Sequence, residues 1–220
     1  GYGTGEAYAR EVRALKAEWD EAVDRLRRVE TPDRLSQANV IGMGNDAAGP
    51  RDVVVCAAGS MPGDLLKLWR PQDPKGYHLE YGYSCMGYEI PGGLGVKMAD
   101  PSRDVYVMCG DGSFLMMSSE IVTAIQEGYK LIIVLVDNHG FQSIHGLQRS
   151  SGTPSFGNEL RFRNEATGLL DGPPIPIDYA KNAESFGAKA YFASSAASLK
   201  EALEAAKKDD RTVLIHVAVD

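Results

Sequence analysis

Asp111 and Asn138 are the two residues whose types and spacing point most directly to chemistry. Asp111 lies in Gly110-Asp111-Gly112-Ser113, directly after the apolar run 105–109. Asn138 comes 27 residues later, close behind a second apolar run at 131–136. Residues 120–127, between them, have the character of a helix. The layout is strand, glycine turn, helix, strand, polar turn. In a parallel α/β unit both turns lie at the carboxyl edge of the sheet, where such folds bind ligands. A carboxylate and an amide carbonyl are hard oxygen ligands, and a glycine turn presents backbone N–H groups that can hold phosphate. A magnesium-bound diphosphate is the expected guest.

Two further segments could line the same edge. Gly59-Ser60-Met61-Pro62-Gly63-Asp64 follows an apolar run and opens a helix, a setting that suits an anion or is simply a helix start with Pro in its first turn. The stretch from Tyr81 to Gly95 carries Gly92, Gly93 and Gly95 in a helical pattern, each costing about 1 kcal/mol relative to alanine. Something must approach that backbone closely, either a packed strand or a ligand. His139 and His145 are candidate proton-transfer groups because imidazole titrates near neutrality, and His78 and His216 are weaker ones. With no paired partner visible, each reads by default as a histidine bonded to backbone or water. Glu120 reads as a solvated or capping residue, whereas Glu89 falls within the proposed wall.

These residues need a scaffold. Strands are expected at 53–57, 77–80, 105–109, 131–136, 188–192 and 213–217, and helices at 62–69, 87–99, 118–127, 179–186 and 198–207. Such alternation predicts an α/β fold, a three-layer α/β/α arrangement around a mostly parallel sheet of about six strands. Ahead of it, residues 6–30 form a charged amphipathic helix in which Val12, Leu15, Trp19, Val23 and Leu26 make one apolar stripe, read as a packing arm on the domain or on a neighbouring subunit. Thr31-Pro32-Asp33 punctuates its end, and a shorter helix is expected at 34–43. Residues 1–50 thus read as arm and linker, and 51–220 as the main domain. Residues 138–177 are rich in Gly, Ser, Asn and Pro without clear periodicity; a segment that long is expected to be a functional lid.

Composition narrows the field. The 220 residues carry a net charge of −7 and no basic cluster able to neutralise a nucleic-acid backbone, so nucleic acid is not an expected partner. No apolar run approaches the roughly 20 residues needed to span a bilayer. Cys56, Cys85 and Cys109 lack metal-ligand spacing and read as reduced, mostly buried thiols of a cytoplasmic protein. The chain opens on Gly1 rather than Met, as expected of an excised piece. A P-loop, a complete dinucleotide fingerprint (Leu115 stands where its third glycine would be) and a nucleophile elbow are all absent from the sequence.

The Gly110–Ser113 turn, Asn138 and Gly140 together resemble the signature of thiamine-diphosphate enzymes. The resemblance implies that Asp111, Asn138 and the Gly140 carbonyl ligate Mg²⁺, and that Gly110, Gly112 and Ser113 touch the diphosphate. It implies that Gly59 and Ser60 line the diphosphate end of the cofactor and that Phe141 belongs to its site. It makes Met86 the wedge beneath the bent cofactor and the Ser84 carbonyl the acceptor for the exocyclic amine. The stretches His78–Ile90 and Asp137–Phe141 are similar to the branch of the family that hydrolyses a ring C–C bond of 3D-(3,5/4)-trihydroxycyclohexane-1,2-dione to 5-deoxy-glucuronate in inositol catabolism. Asp137, in place of a more usual Asn, and Glu89, in place of a small residue, both favour that branch, with Glu89 able to touch substrate. Family resemblance further implies a homodimer or homotetramer, with the cofactor-activating Glu on a pyrimidine-binding domain that a partner subunit supplies and this chain lacks. An acetolactate-synthase-like carboligase, a 2-keto-acid decarboxylase and a non-catalytic assembly domain are the alternatives.

Overall fold

The computed structural model describes residues 3–29, 31 and 34–219. Six strands form one sheet: β1 (Val53–Cys56), β2 (Tyr77–Leu79), β3 (Val105–Gly110), β4 (Ile132–Asp137), β5 (Lys189–Ala193) and β6 (Val213–Ala218). Their order is β2-β1-β3-β4-β6-β5, and every pairing is parallel. The sheet is therefore fully rather than mostly parallel. β1, β3 and β4 are buried along both faces, so their sequences read as continuous Val, Ile, Leu and Met rather than as an alternation.

Helices cover both faces. On one side α2 (Gln37–Ala47), α3 (Met61–Leu68) and α9 (Ala196–Lys208) bring Ile41, Leu65 and Leu203 onto Tyr106, Met108, Val134 and Ile215. On the other, α4 (Glu89–Ala99), α5 (Asp111–Met117), α6 (Glu120–Gln126) and α8 (Tyr179–Ser185) bring Ile90, Phe114, Ile121 and Tyr179 onto Val107, Cys109, Ile133 and Leu135. Of the three glycines of α4, Gly93 finds a strand and Gly92 a side chain rather than a ligand, while Gly95 faces open space. A Cβ on Gly93 would fall on Cγ2 of Val107, and one on Gly92 would fall on the ring of Tyr88.

Three expectations change. The long helix α1 (Glu6–Arg27) forms, but Val12, Leu15, Trp19 and Leu26 stay exposed and only Val23 of the stripe is buried. Polar contacts hold its last turns instead: Arg27 reaches the Leu68 carbonyl and Asn45, and Arg70 donates to Asp24 at 2.8 Å and to the Asp20 carbonyl at 2.8 Å. The helix stops at Arg27, short of the expected end, with 28 and 29 outside it; Glu30 and the Pro32-Asp33 stop lie outside the described residues. The glycine turn runs directly into α5, a helix outside the expected set, and the helix expected over 118–127 forms as α6. Within 138–177, α7 (Gln142–Ser150) forms, and bridges between Gly140 and Glu159 and between Arg161 and Pro174 fold the segment back on itself.

The amino edge of the sheet is closed by charge. Buried Arg103 donates to the Arg51 carbonyl, Asp73 and Asp100 at 2.9, 3.1 and 2.9 Å. The Ser102 hydroxyl and Arg103 hold the Asp100 carboxyl down at about 2. A group depressed from roughly 3.9 in the unfolded chain stabilises the fold above that value and loses its contribution as pH falls toward its folded value. Asp100→Asn is therefore expected to lower the unfolding midpoint near neutral pH and to leave it almost unchanged near pH 2, as read by thermal melts across that range. Gly93→Ala is expected to cost about 1–3 kcal/mol in denaturant unfolding, because stiff Val107 cannot yield.

Candidate functional site

The parallel register brings three strand ends together. β3 and β4 pair out to Gly110 opposite Val136, which sets the first turn of α5 beside the 137–140 turn. β1 lies on the other side of β3, and its exit turn, Ala57–Ser60, stands next to both. β1 and β3 are also where the connections change direction across the sheet, the position at which parallel α/β folds open a ligand crevice. A cleft of about 240 Å³ opens there. Gly59, Ser60, Ser84, Met86, Gly110, Gly112, Ser113, Asn138, Gly140 and Phe141, ten residues picked out in the sequence, line it. A larger recess of about 1050 Å³ between α1, α2 and the start of α9 contains none of them.

At the base of the cleft three polar groups face one another. One head atom of the Asn138 side-chain amide stands 2.9 Å from the Gly140 carbonyl and 3.2 Å from Asp111 Oδ1, a position from which its NH₂ donates to both when no cation is present. Acceptors packed this closely repel unless a cation sits among them or the amide turns its NH₂ inward to donate to both. The edge of an octahedron of oxygens 2.0–2.1 Å from Mg²⁺ is about 2.9 Å, so the spacing fits that ion. Asp111 is completely buried, and its second oxygen, Oδ2, has no hydrogen-bond partner. Burial, and then the negative charge of Asp137, push the Asp111 carboxyl well above its ordinary value, against the pull of the Gly112 and Gly140 N–H groups. A divalent cation would relieve both the desolvation and the orphaned oxygen. One carboxylate, one amide and one carbonyl make a hard-oxygen set suited to magnesium.

The turn that carries Asn138 is held from behind. Asp137 accepts from the His139 N–H at 3.0 Å and pairs with the His216 ring at 2.9 Å. Burial disfavours the charged form of Asp137, but these bonds outweigh it and hold its carboxyl below the usual range. His139 takes φ 63° and Gly140 φ 142°, so the chain reverses within two residues. A side chain at Gly140 would collide with the Asn158 carbonyl, and Phe141 N–H donates to that same carbonyl at 2.7 Å. The Gln142 side-chain amide closes the turn by donating to the Asn138 carbonyl at 3.0 Å.

The walls meet at Gly112. A Cβ there would lie 2.7 Å from the Phe141 ring and 3.4 Å from the Met86 methyl, so one glycine, one aromatic and one thioether from three separate motifs share a contact. Ser84, at φ 52°, is a non-glycine residue in the left-handed region beside Met86. Gln37, at the start of α2, donates to Asp64 at 2.6 Å and accepts from Ser60 at 3.3 Å, and its side chain borders the cleft. Tyr81, Gln142, Ser143 and Ile144 complete the rim.

The remaining candidates fall elsewhere. Glu89 was expected on the wall, within reach of substrate, but it is 1% exposed and faces backbone N–H groups behind the wall. His145 bonds to Ser155 at 3.1 Å beside a separate recess with Arg149 and Glu159. His139 is part of the 137–140 turn, with its ring 3.4 Å from Asp137 and from Arg34. His78 pairs with the Tyr88 hydroxyl at 2.8 Å, and His216 is taken up by Asp137. No group of three or more His, Cys, Asp and Glu residues suited to a metal occurs among the described residues, and no helix among them is long and apolar enough to cross a membrane.

Known proteins share both the sequence and the fold. The chain is 44% identical to a 3D-(3,5/4)-trihydroxycyclohexane-1,2-dione hydrolase of Geobacillus thermodenitrificans over 97% of its own length and 37% of that protein's. It is 45% identical to the hydrolase of the same name from Bacillus thuringiensis over 98% of its length and 33% of the relative's. It thus spans about a third of the curated relatives it matches. Among solved structures, the thiamine diphosphate-dependent 4-hydroxybenzoylformate decarboxylase of Rhodococcus jostii superposes with a TM-score of 0.75 at 20% identity, covering 87% of this chain and 34% of that one; the likeness is one of fold. The family model for the C-terminal TPP-binding domain of thiamine pyrophosphate enzymes matches residues 57–217, a span holding every residue of the polar trio and its walls, and the chain belongs to that family.

Proposed function

We propose that this chain is the diphosphate- and magnesium-binding part of a hydrolase that opens the ring of 3D-(3,5/4)-trihydroxycyclohexane-1,2-dione. The observation that carries the reading is the convergence of the Asp111 carboxyl, the Asn138 amide and the Gly140 carbonyl at the foot of a cleft walled by Met86 and Phe141. Similarity to the two hydrolases over nearly the whole chain supports the choice of substrate. Residues 51–220 form the cofactor domain in this reading, and 1–50 the arm that leads into it.

Each residue then has a task. Asp111, Asn138 and the Gly140 carbonyl hold Mg²⁺, which ties the diphosphate to the sheet edge. Gly110, Gly112 and Ser113, with Gly59 and Ser60 across the cleft, offer backbone and hydroxyl donors to phosphate oxygens. Gly112 has no side chain where the ligand must come close. Met86 supports the cofactor from below, and the Ser84 carbonyl accepts a hydrogen bond from its amine. When bound, thiamine diphosphate supplies the electron sink for C–C cleavage. His139 is the nearest imidazole for proton transfer, His145 a more distant one.

The cleft has no carboxylate placed to activate the cofactor's carbon acid, a role that falls to a pyrimidine-binding domain from a partner subunit. Leu115, Met116 and Met117 on α5 are exposed, the two methionines pack next to Gly87, and Tyr83 on the same loop as Gly87 is almost fully exposed. An apolar rim of this kind fits a covering domain in a homodimer or homotetramer.

Titration calorimetry tests the reading. Thiamine diphosphate is expected to bind in a Mg²⁺-dependent way, and Asp111→Ala to weaken binding by at least about 100-fold. Binding indifferent to metal, or to Asp111, overturns the assignment. The 220-residue chain by itself is expected to show no ring opening, while the same chain joined to its pyrimidine-binding domain turns over the cyclic dione and not pyruvate. Turnover by the chain alone would refute the shared-site reading.

A further inference from the structure

The loop from Glu80 to Glu89 joins β2 to α4 and carries both Ser84 and Met86. It is short of regular structure and mostly exposed, yet three alternate N–H groups along it end on carboxylates. Glu80 accepts from Tyr83 N–H at 3.0 Å through one oxygen and from Cys85 N–H at 2.8 Å through the other. Glu89 accepts from Gly87 N–H at 3.0 Å through one oxygen and from Ala58 N–H, in the exit turn of β1, at 3.1 Å through the other. The residues between these anchors are Ser84 and Met86.

We propose that Glu80 and Glu89 are positioning residues, a pair of carboxylate clamps that fix loop 81–88 and thereby aim the Ser84 carbonyl and the Met86 side chain into the cleft. The proposal rests on the functional reading above for what those two residues meet, and on hydrogen-bond geometry for the clamps themselves.

Several observations converge on it. Both partners that Glu80 binds flank Ser84, whose φ of 52° is a conformation L-residues seldom hold without support. Gly87 sits at φ 90° with Met117 and Met116 packed where a side chain would be, so the far end of the loop is fixed by packing as well as by Glu89. Glu89 alone reaches out of the loop. By taking Ala58 N–H it ties the Met86 segment to the turn that carries Gly59 and Ser60, so two walls of the cleft move as one. It accepts from two backbone N–H groups, and the Ser113 hydroxyl is a further partner. The N–H groups of Cys85 and Tyr83 hold the Glu80 carboxyl below its usual range; burial pushes that of Glu89 up, countered by its backbone bonds and the Ser113 hydroxyl.

Glutamine separates shape from acceptor capacity. It matches glutamate in size, but its NH₂ must face one of the two N–H donors, so each Glu→Gln change leaves one loop amide unpaired. Glu80 lies at the surface and E80Q is expected to keep the wild-type melting temperature within about two degrees. With cofactor absent, Tyr83 or Cys85 amide exchange in E80Q, and Gly87 or Ala58 exchange in E89Q, is expected to accelerate roughly ten-fold. Affinity for thiamine diphosphate at saturating Mg²⁺ is expected to fall about five- to ten-fold in each. A merely structural role would not lower affinity in E80Q at unchanged stability.

Exchange rates equal to wild type in E80Q, or affinity within two-fold of wild type in E80Q, overturn the proposal. Should E89Q fail to fold, the wild-type chain supplies the second arm: Gly87 and Ala58 amides must exchange at least ten-fold more slowly than that of exposed Gly59, and equal rates refute the Glu89 clamp. If wild type binds no thiamine diphosphate, the functional reading fails, and the exchange data alone then decide whether the clamps exist.

Discussion

Everything at the site depends on one piece of register, the pairing of β3 with β4 out to Gly110 and Val136. That pairing sets a buried carboxylate, Asp111, against the turn that carries Asn138 and Gly140. Without the parallel ladder the three groups would have no reason to meet, because Asp111 and Asn138 lie on opposite sides of a two-helix crossover. With it, the Asn138 amide is held 3.2 Å from Asp111 and 2.9 Å from the Gly140 carbonyl at the foot of the cleft. The cost is a carboxyl group that burial and a neighbouring charge hold away from its ordinary ionisation. Such local frustration is tolerable only where a ligand relieves it.

The two edges of the sheet illustrate a division of labour. At the amino edge, Arg103 satisfies Asp73, Asp100 and the Arg51 carbonyl in the turn ahead of β1. At the carboxyl edge, Asp111 Oδ2 is orphaned, Ser84 and His139 hold positive φ, and exposed methionines rim the opening. Stability sits at one end and unfinished chemistry at the other. The clamps of Glu80 and Glu89 belong to the second end, but they work as Arg103 does, by giving backbone groups a charged partner.

Much of this was legible in the sequence, for identifiable reasons. The Val- and Ile-rich runs of β1, β3, β4 and β6 read as buried strands, and their alternation with helical segments placed half-buried β2 and β5 and the α/β class. The Asp111 and Asn138 pair could be read because a Gly-Asp-Gly turn after one strand is matched by Asn138 and Gly140 after the next. What escaped was set by tertiary contact. Gln37 reaches the cleft from a helix that precedes β1, and nothing in its neighbourhood marks it. α7 was hidden because its apolar residues, Ile144 and Leu147, are exposed and too few to show a period. The stripe on α1 was visible, but its exposure was not, since a pattern says which face is apolar and not what covers it. Glu89 was noticed for its type; only coordinates show that it turns inward to bind Ala58 rather than outward to the cleft.

The closure of Gly140 against residues 158 and 159 has a consequence for how such proteins diverge. One proposed ligand to the metal is a backbone carbonyl whose place depends on a chain segment almost twenty positions downstream, through the Phe141 to Asn158 bond and the Leu160 to His139 bond. The stretch from 138 to 160 is therefore inherited as a unit. A loop exchanged between two relatives at the convenient boundary after Phe141 would arrive without the carbonyl that shapes the turn, and the substitution would reach the metal without altering a single ligand.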